Sequence, residues 1–102
     1  MRYPPVIALV NVVVRGKNYD GAMTAAADLA RMTNERSQPG GGFVILGPAP
    51  APLTRLRGEH RAQFFLKGTS RAAMRRALGE ALAAMPDIAR KAAVDVDPLS
   101  VL

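Results

Sequence analysis

Cationic side chains concentrate in one window of the chain, and they are the residues best suited to bind an anion. The window from residue 55 to residue 76 contains a single acid, Glu59, and seven cations: Arg55, Arg57, Arg61, Lys67, Arg71, Arg75 and Arg76. Seven minus one gives +6, which equals the formal net charge of the whole chain. Arginine binds phosphate and carboxylate through planar, bidentate contacts. This asymmetry predicts an anionic partner, with nucleic acid as the first candidate.

The arginines near the start of a predicted helix are the most informative part of this window. Arg71, Arg75 and Arg76 fall in its first two turns and lie off its apolar stripe. Cations near a helix N-terminus oppose the helix dipole, so stability alone would favour acids there. Because a helix N-terminus attracts anions, the arrangement predicts a carboxylate or phosphate site. A merely solvated helix face is the alternative.

A proline-rich connection precedes the other arginines of the window. Pro48, Pro50 and Pro52 occur at every second position, which fixes φ and favours extended geometry in their neighbours. We predict a stiff loop that holds Arg55 and Arg57 on the same electropositive flank as the helix-start arginines. A long solvated hairpin connection is the alternative.

Two other kinds of residue could carry chemistry but give weaker signals. His60 is the only histidine, which excludes histidine-based triads and multi-histidine metal sites within one chain. A structural role or a phosphate contact is expected for it. Asp95 and Asp97 share one face of a predicted strand and could hold magnesium. A pair without a third acid nearby is more typical of a polar strand end.

Composition limits the class of protein. The 102 residues, 49% of them hydrophobic, are enough for one small globular domain. The absence of cysteine excludes disulfides and cysteine-ligated zinc and fits a reducing compartment, so we expect a cytoplasmic protein. No apolar run approaches the roughly 20 residues of a membrane span, so no membrane partner is expected.

The hydrophobic periodicity predicts six elements in the order βαββαβ. The predicted strands cover residues 6–14, 43–46, 60–67 and 91–97; the predicted helices are capped by Asn18 and Ser70 and end near Arg36 and Pro86. Right-handed crossovers then give an α+β, ferredoxin-like fold with a four-stranded antiparallel sheet and both helices on one face. The first and third strands should be central.

The predicted open face of the sheet carries an unusual amount of apolar surface for a free monomer. Ile7, Leu9, Val13 and Phe65 should lie there among polar groups. Such a face is typical of a surface that meets another domain or a partner.

Several motifs closely resemble the C-terminal domain of the bacterial replication-restart helicase, primosomal protein N-prime (PriA). They are RYPP at residues 2–5, LGPAPAP at 46–52, RLRGEHRAQFFLK from Arg55, the Ser70-Arg71 helix start and DVDPLS from Asp95. They span essentially the whole chain in family order. The family's domain has the βαββαβ order and is similar to ribosomal protein S10.

The resemblance implies a non-catalytic module. The phosphate-binding loop, helicase lobes and zinc-binding cysteines of the parent protein are not among these residues, so ATP, magnesium and zinc would belong to its other parts. We therefore expect residues 1–102 to be one domain, excised from a larger helicase whose lobes would cover the open face.

The resemblance also implies two binding roles. The domain would bind branched or single-stranded DNA and help to dock the acidic tail of single-stranded DNA-binding protein. Arg71 and Arg75 match the tail-contacting positions, although the family can carry glutamine near the second. The residues expected to contact DNA phosphates are Arg55, Arg57, Arg61 and Lys67.

Three alternative functions remain open from the sequence. An S10-like scaffold would place its basic surface beside RNA. An acylphosphatase-like enzyme would use Arg15 after the first strand, but the glycine- and valine-rich cradle of those enzymes is absent. An RNA-recognition module would stack bases on Phe65, but its glycine-aromatic signature is missing.

Overall fold

The computed structural model of the chain describes residues 7–37, 42–56 and 58–97, with the side chains of residues 52–56 and 97 outside the description. The elements are β1 (Ala8–Gly16), α1 (Tyr19–Glu35), β2 (Phe43–Leu56), β3 (Glu59–Gly68), α2 (Arg71–Ala84), α3 (Pro86–Ala89) and β4 (Ala92–Asp97). The four strands form an antiparallel sheet in the order β2-β3-β1-β4. The predicted α+β, ferredoxin-like βαββαβ fold is confirmed, with β1 and β3 in the centre.

The core lies between the sheet and the two long helices. Alternate residues of β1 and β3 are buried and meet the apolar stripes of α1 and α2. Phe64 and Leu66 of β3 and Leu29 of α1 are fully buried. Ala62, which lies on the same face of β3 as Phe64 and Leu66, is fully buried as well. Tyr19, in the first turn of α1, is exposed.

The helices begin at the predicted caps. The Oδ1 atom of Asn18 accepts a hydrogen bond from the Gly21 amide at 2.6 Å, and the Ser70 hydroxyl accepts one from the Ala73 amide at 3.1 Å. Pro86 ends α2 as expected and begins the single turn of α3. No helix in the described part of the chain is long and apolar enough to cross a membrane.

The second strand is much longer than the sequence suggested. We predicted a strand over residues 43–46 followed by a loop, but β2 runs for 14 residues to Leu56 and pairs with β3. Its register shifts between Leu46 and Ala49 and again between Pro50 and Arg55. Prolines are tolerated there because β2 is an edge strand and irregularities of pairing accommodate the missing amide hydrogens. The predicted stiff loop is therefore wrong, since the proline segment belongs to the sheet.

Two glycines allow backbone conformations at the two ends of β3 that other residues would not. Gly58 has a φ of +81° and supplies the left-handed turn between β2 and β3. Gly68 ends β3, where an added Cβ would collide with the carbonyl oxygen of Gly42 and the Cα of Phe43. A glycine at position 68 therefore allows β3 to lie close to the start of β2, at the end of the sheet where α2 begins.

The helices cover β4 less completely than its alternating apolar residues suggest. Val94 and Val96 pair with Val12 and Val10, so they lie on the helix side of the sheet. They are nevertheless 43% and 44% exposed. The helices leave this edge of the sheet partly open.

Candidate anion-binding sites

The predicted cations divide between two ends of the sheet. Arg55 pairs with His60 near the β2–β3 turn, whereas α2 begins at Arg71, just after Gly68 at the far end of β3. Gly68 lies eight positions after His60 along β3, which corresponds to about 26 Å at roughly 3.3 Å per residue. The backbone positions of Arg55 and Arg71 therefore do not form the common electropositive flank that we predicted. We call the two regions the hairpin end and the helix-start end of the sheet.

Four residues were predicted to contact DNA, and the structure separates them. Arg61 is half-buried on the open face at the hairpin end, where the backbone of Arg55 also lies. Lys67 is exposed on the same face but near the helix-start end, six residues or about 20 Å away. Arg57 and the side chain of Arg55 lie outside the described residues.

The two predicted carboxylate-binding arginines lie together. Arg71 and Arg75 are one helical turn apart on α2, and both are exposed. They line an apolar groove together with Val10, Met74 and Val96. Val96 is exposed because it lies on β4, which forms one wall of this groove. We call these five residues the α2 groove.

The charge of the α2 groove is not neutralised by the described part of the fold. No described carboxylate forms an ion pair with Arg71, Arg75 or Arg76. The first turn of α2 contains no acid, so the partial positive charge of the helix N-terminus adds to the guanidinium groups. An apolar floor beside two guanidinium groups suits a chain end that combines an apolar side chain with a carboxylate.

A second cationic arrangement could not be found from the sequence pattern. Arg15 of β1 pairs with Arg61 of β3. On its other side, the Arg15 amide donates a hydrogen bond to the Lys91 carbonyl oxygen at 2.9 Å. Arg61, Arg15 and Lys91 thus follow one another across three adjacent segments at the hairpin end, and we call them the cationic row. They are distant in sequence, so only the strand register reveals their proximity.

The surroundings of the cationic row contain little compensating charge. The carboxylate of Glu59 lies 4.0 Å from the Arg15 guanidinium, and both groups are substantially exposed. Arg15 also donates a hydrogen bond to the Arg90 carbonyl oxygen at 3.0 Å. A cleft at this end is lined by Arg15, Gly16, Lys17, Glu59 and Lys91.

The other candidate residues do not assemble into a further site in the described structure. His60 is half-buried and pairs with Gly16 and Arg55. Asp95 pairs with Asn11, while the side chain of Asp97 is not described. Among the described residues, no three histidine or acidic side chains come together to hold a metal ion.

The open face of the sheet is apolar toward β2 and polar toward β4. Leu46, Phe65, Asn11 and Asp95 follow one another across the four strands. Leu46 is 46% exposed, and Phe65 is half-buried. The predicted apolar open face is therefore present, with Ile7 exposed, and the exposed side chains of Val44 and Leu46 enlarge it.

Comparison with known proteins identifies the family. The family described as the primosomal protein N C-terminal domain matches residues 1–99 of the 102-residue chain. The chain belongs to this family. The resemblance carried by the sequence motifs is thereby confirmed. As a primosomal protein N C-terminal domain, the chain is a replication-restart module of the primosome.

Comparison with other proteins adds only the fold. No curated protein matches the chain. Among solved structures, the de novo designed protein Foldit4 is similar, with a TM-score of 0.62 and 9% sequence identity over 90% of this chain and 94% of that chain. At this identity the likeness concerns the fold alone, so the function of this primosomal domain must be argued from its surfaces.

Proposed function

We propose that the chain is a non-catalytic DNA-binding and docking module of a replication-restart primosomal helicase. It contacts DNA phosphates and the acidic C-terminal tail of single-stranded DNA-binding protein in the cytoplasm. The observation that carries this proposal is the α2 groove, where two exposed arginines stand beside an apolar floor. Family membership supplies the primosomal context.

The α2 groove supports the docking part of the proposal. Arg71 lies at the first position of α2, and Arg75 lies one turn later on the same side of the helix. The free carboxylate of a peptide is held by these guanidinium groups and by the helix N-terminus. An apolar side chain beside that carboxylate packs against the floor of the groove, where Val96 is exposed and Met74 and Val10 are buried.

The excess of positive charge supports the DNA-binding part. Arg55, Arg57, Arg61 and Lys67 contact phosphates and read no base sequence. The apolar part of the open face on the β2 side, with Val44 and Leu46, packs against the helicase lobes of the parent chain. No nucleotide or metal cofactor is assigned to these residues.

A double substitution tests the contribution of Arg55 and Arg57, two of the four residues expected to contact DNA. A variant with Arg55→Ala and Arg57→Ala should bind single-stranded or forked DNA more weakly. Its plot of log affinity against log salt should be flatter by roughly 0.7 to 0.9 for each phosphate that the variant no longer binds. Fluorescence anisotropy at several salt concentrations measures this slope.

The matched control removes the same charge elsewhere. Arg36, the C-cap of α1, and Arg76 of α2 are exposed and lie away from the hairpin turn. Replacing both with alanine should leave the salt slope almost as steep as that of the native chain. An equal decrease of the slope in both double variants would contradict a defined site. Tighter binding to duplex RNA than to forked or single-stranded DNA at one salt concentration would instead favour an S10-like scaffold.

A further inference from the structure

The cationic row is an unusual arrangement within a β-sheet. Arg61 lies directly opposite Arg15, and the Arg15 amide bonds to the carbonyl of Lys91. Neighbouring strands are about 4.8 Å apart, so the backbones of the three cationic residues lie within about 10 Å across the sheet. Like charges that lie directly opposite one another in a sheet are destabilising. A sequence selected for stability alone would not place them together.

The fold does not neutralise the cationic row. Glu59 is the one described carboxylate within 4.0 Å of it, so the three cations and one acid leave a local charge of +2. Lys17 lines the adjoining cleft and raises that charge to +3. The Nε atom of Arg61 is buried and has no hydrogen-bond partner within the described residues. The donors that a ligand can reach at this end of the sheet are those of the exposed side chains of Arg15 and Lys91.

The surface beside the cationic row is better suited to bind a polymer than a small anion. Phe65 lies on the same face of β3 as Arg61, four residues or about 13 Å away. Single-stranded nucleic acid is bound by cationic grooves that follow the backbone and by aromatic side chains on which bases stack. A row of cations beside a half-buried phenylalanine on the same face matches both requirements.

We propose that the cationic row of Arg61, Arg15 and Lys91 binds consecutive phosphates of single-stranded DNA on the open face of the sheet. This inference rests on the proposed DNA-binding function and assigns it to two residues, Arg15 and Lys91, outside the basic window of the sequence. Phe65 lies within reach of the same strand. Lys67, at the helix-start end, is not required for it.

The experiment compares two variants with the same reduction in net charge. One carries Arg15→Gln and Lys91→Gln, and the control carries Arg36→Gln and Arg76→Gln. Binding of a fluorescein-labelled oligothymidylate to the chain is followed by anisotropy over a range of salt concentrations. The salt slope of the row variant should decrease by about 1.4, which is roughly 0.7 for each of two phosphates. The slope of the control should change little.

Two further variants keep the test decisive if removal of the Arg15 hydrogen bond to Arg90 disturbs the fold. Arg15→Lys retains the charge and should keep the slope of the native chain. Glu59→Gln removes the nearby carboxylate and should tighten DNA binding, with every cation still in place.

The outcomes separate this inference from the proposed function. DNA binding by the native chain with equal slopes in the row variant and its control would overturn the cationic row while leaving DNA binding intact. Unchanged or weaker binding by Glu59→Gln would also count against it. No DNA binding by the native chain would overturn the proposed function together with the row.

Discussion

Replacing Arg71 with alanine is expected to weaken binding of an acidic peptide with a free C-terminal carboxylate by about tenfold, equivalent to about 1.4 kcal/mol. Hydrogen bonds to charged groups contribute about 1.5 to 3 kcal/mol, and the lower end applies because Arg71 is exposed. Isothermal titration of the peptide into the native chain and the variant measures the change. The apolar floor of the α2 groove remains in the variant, so residual binding should persist.

Two controls define which group of the peptide Arg71 contacts. Arg76→Ala removes a neighbouring exposed cation that does not line the α2 groove, and it should change affinity little. Amidation of the peptide C-terminus should weaken binding to the native chain but have little further effect on Arg71→Ala. Equal affinities of the native chain and Arg71→Ala would remove Arg71 from the docking site.

Replacing Phe64 with alanine should lower the free energy of unfolding by about 3 to 5 kcal/mol. Phe64 is 0% exposed and belongs to the core cluster between the sheet and the helices. A destabilisation of this size should reduce the Tm by at least about 12 °C in a domain of this length. Urea or thermal unfolding followed by circular dichroism provides the measurement.

The adjacent phenylalanine supplies the matched control. Phe65 lies on the opposite face of β3 and is only half-buried, so Phe65→Ala should cost roughly 1 kcal/mol. Similar destabilisation by the two substitutions would show that the open face is covered as fully as the core and would contradict the two-sided description of the sheet.

The fold could be predicted because its signals are local. Strict alternation along β1 and β3 identifies their buried faces, and the caps at Asn18 and Ser70 identify the helix starts. The edges of the sheet were harder to predict. The prolines of β2 suggested a loop because they remove amide hydrogens, but an irregularly paired edge strand tolerates them.

The candidate sites were only partly predictable. Arg71 and Arg75 are one helical turn apart, so their proximity follows from the spacing alone. The cationic row depends on the register between segments that are distant in sequence, and a shift of one residue would turn Arg15 or Arg61 to the other face. Sequence proximity also misled, because Arg55 and Arg71 lie at opposite ends of β3.

The separation of the two ends of the sheet is central to the proposed mechanism. About 26 Å of strand lies between the hairpin end and the helix-start end. At physiological ionic strength the screening length is about 8 Å, so charge at one end has little influence on the other. A carboxylate in the α2 groove and phosphates on the cationic row can therefore be bound at the same time.

The most direct test is a titration of labelled single-stranded DNA with the chain, in the presence and absence of a saturating acidic peptide at one ionic strength. We predict a DNA Kd that changes by less than about twofold and a ternary complex of chain, DNA and peptide. A DNA Kd that rises in proportion to peptide concentration would show that both ligands compete for one surface, and it would contradict the existence of two separate binding sites.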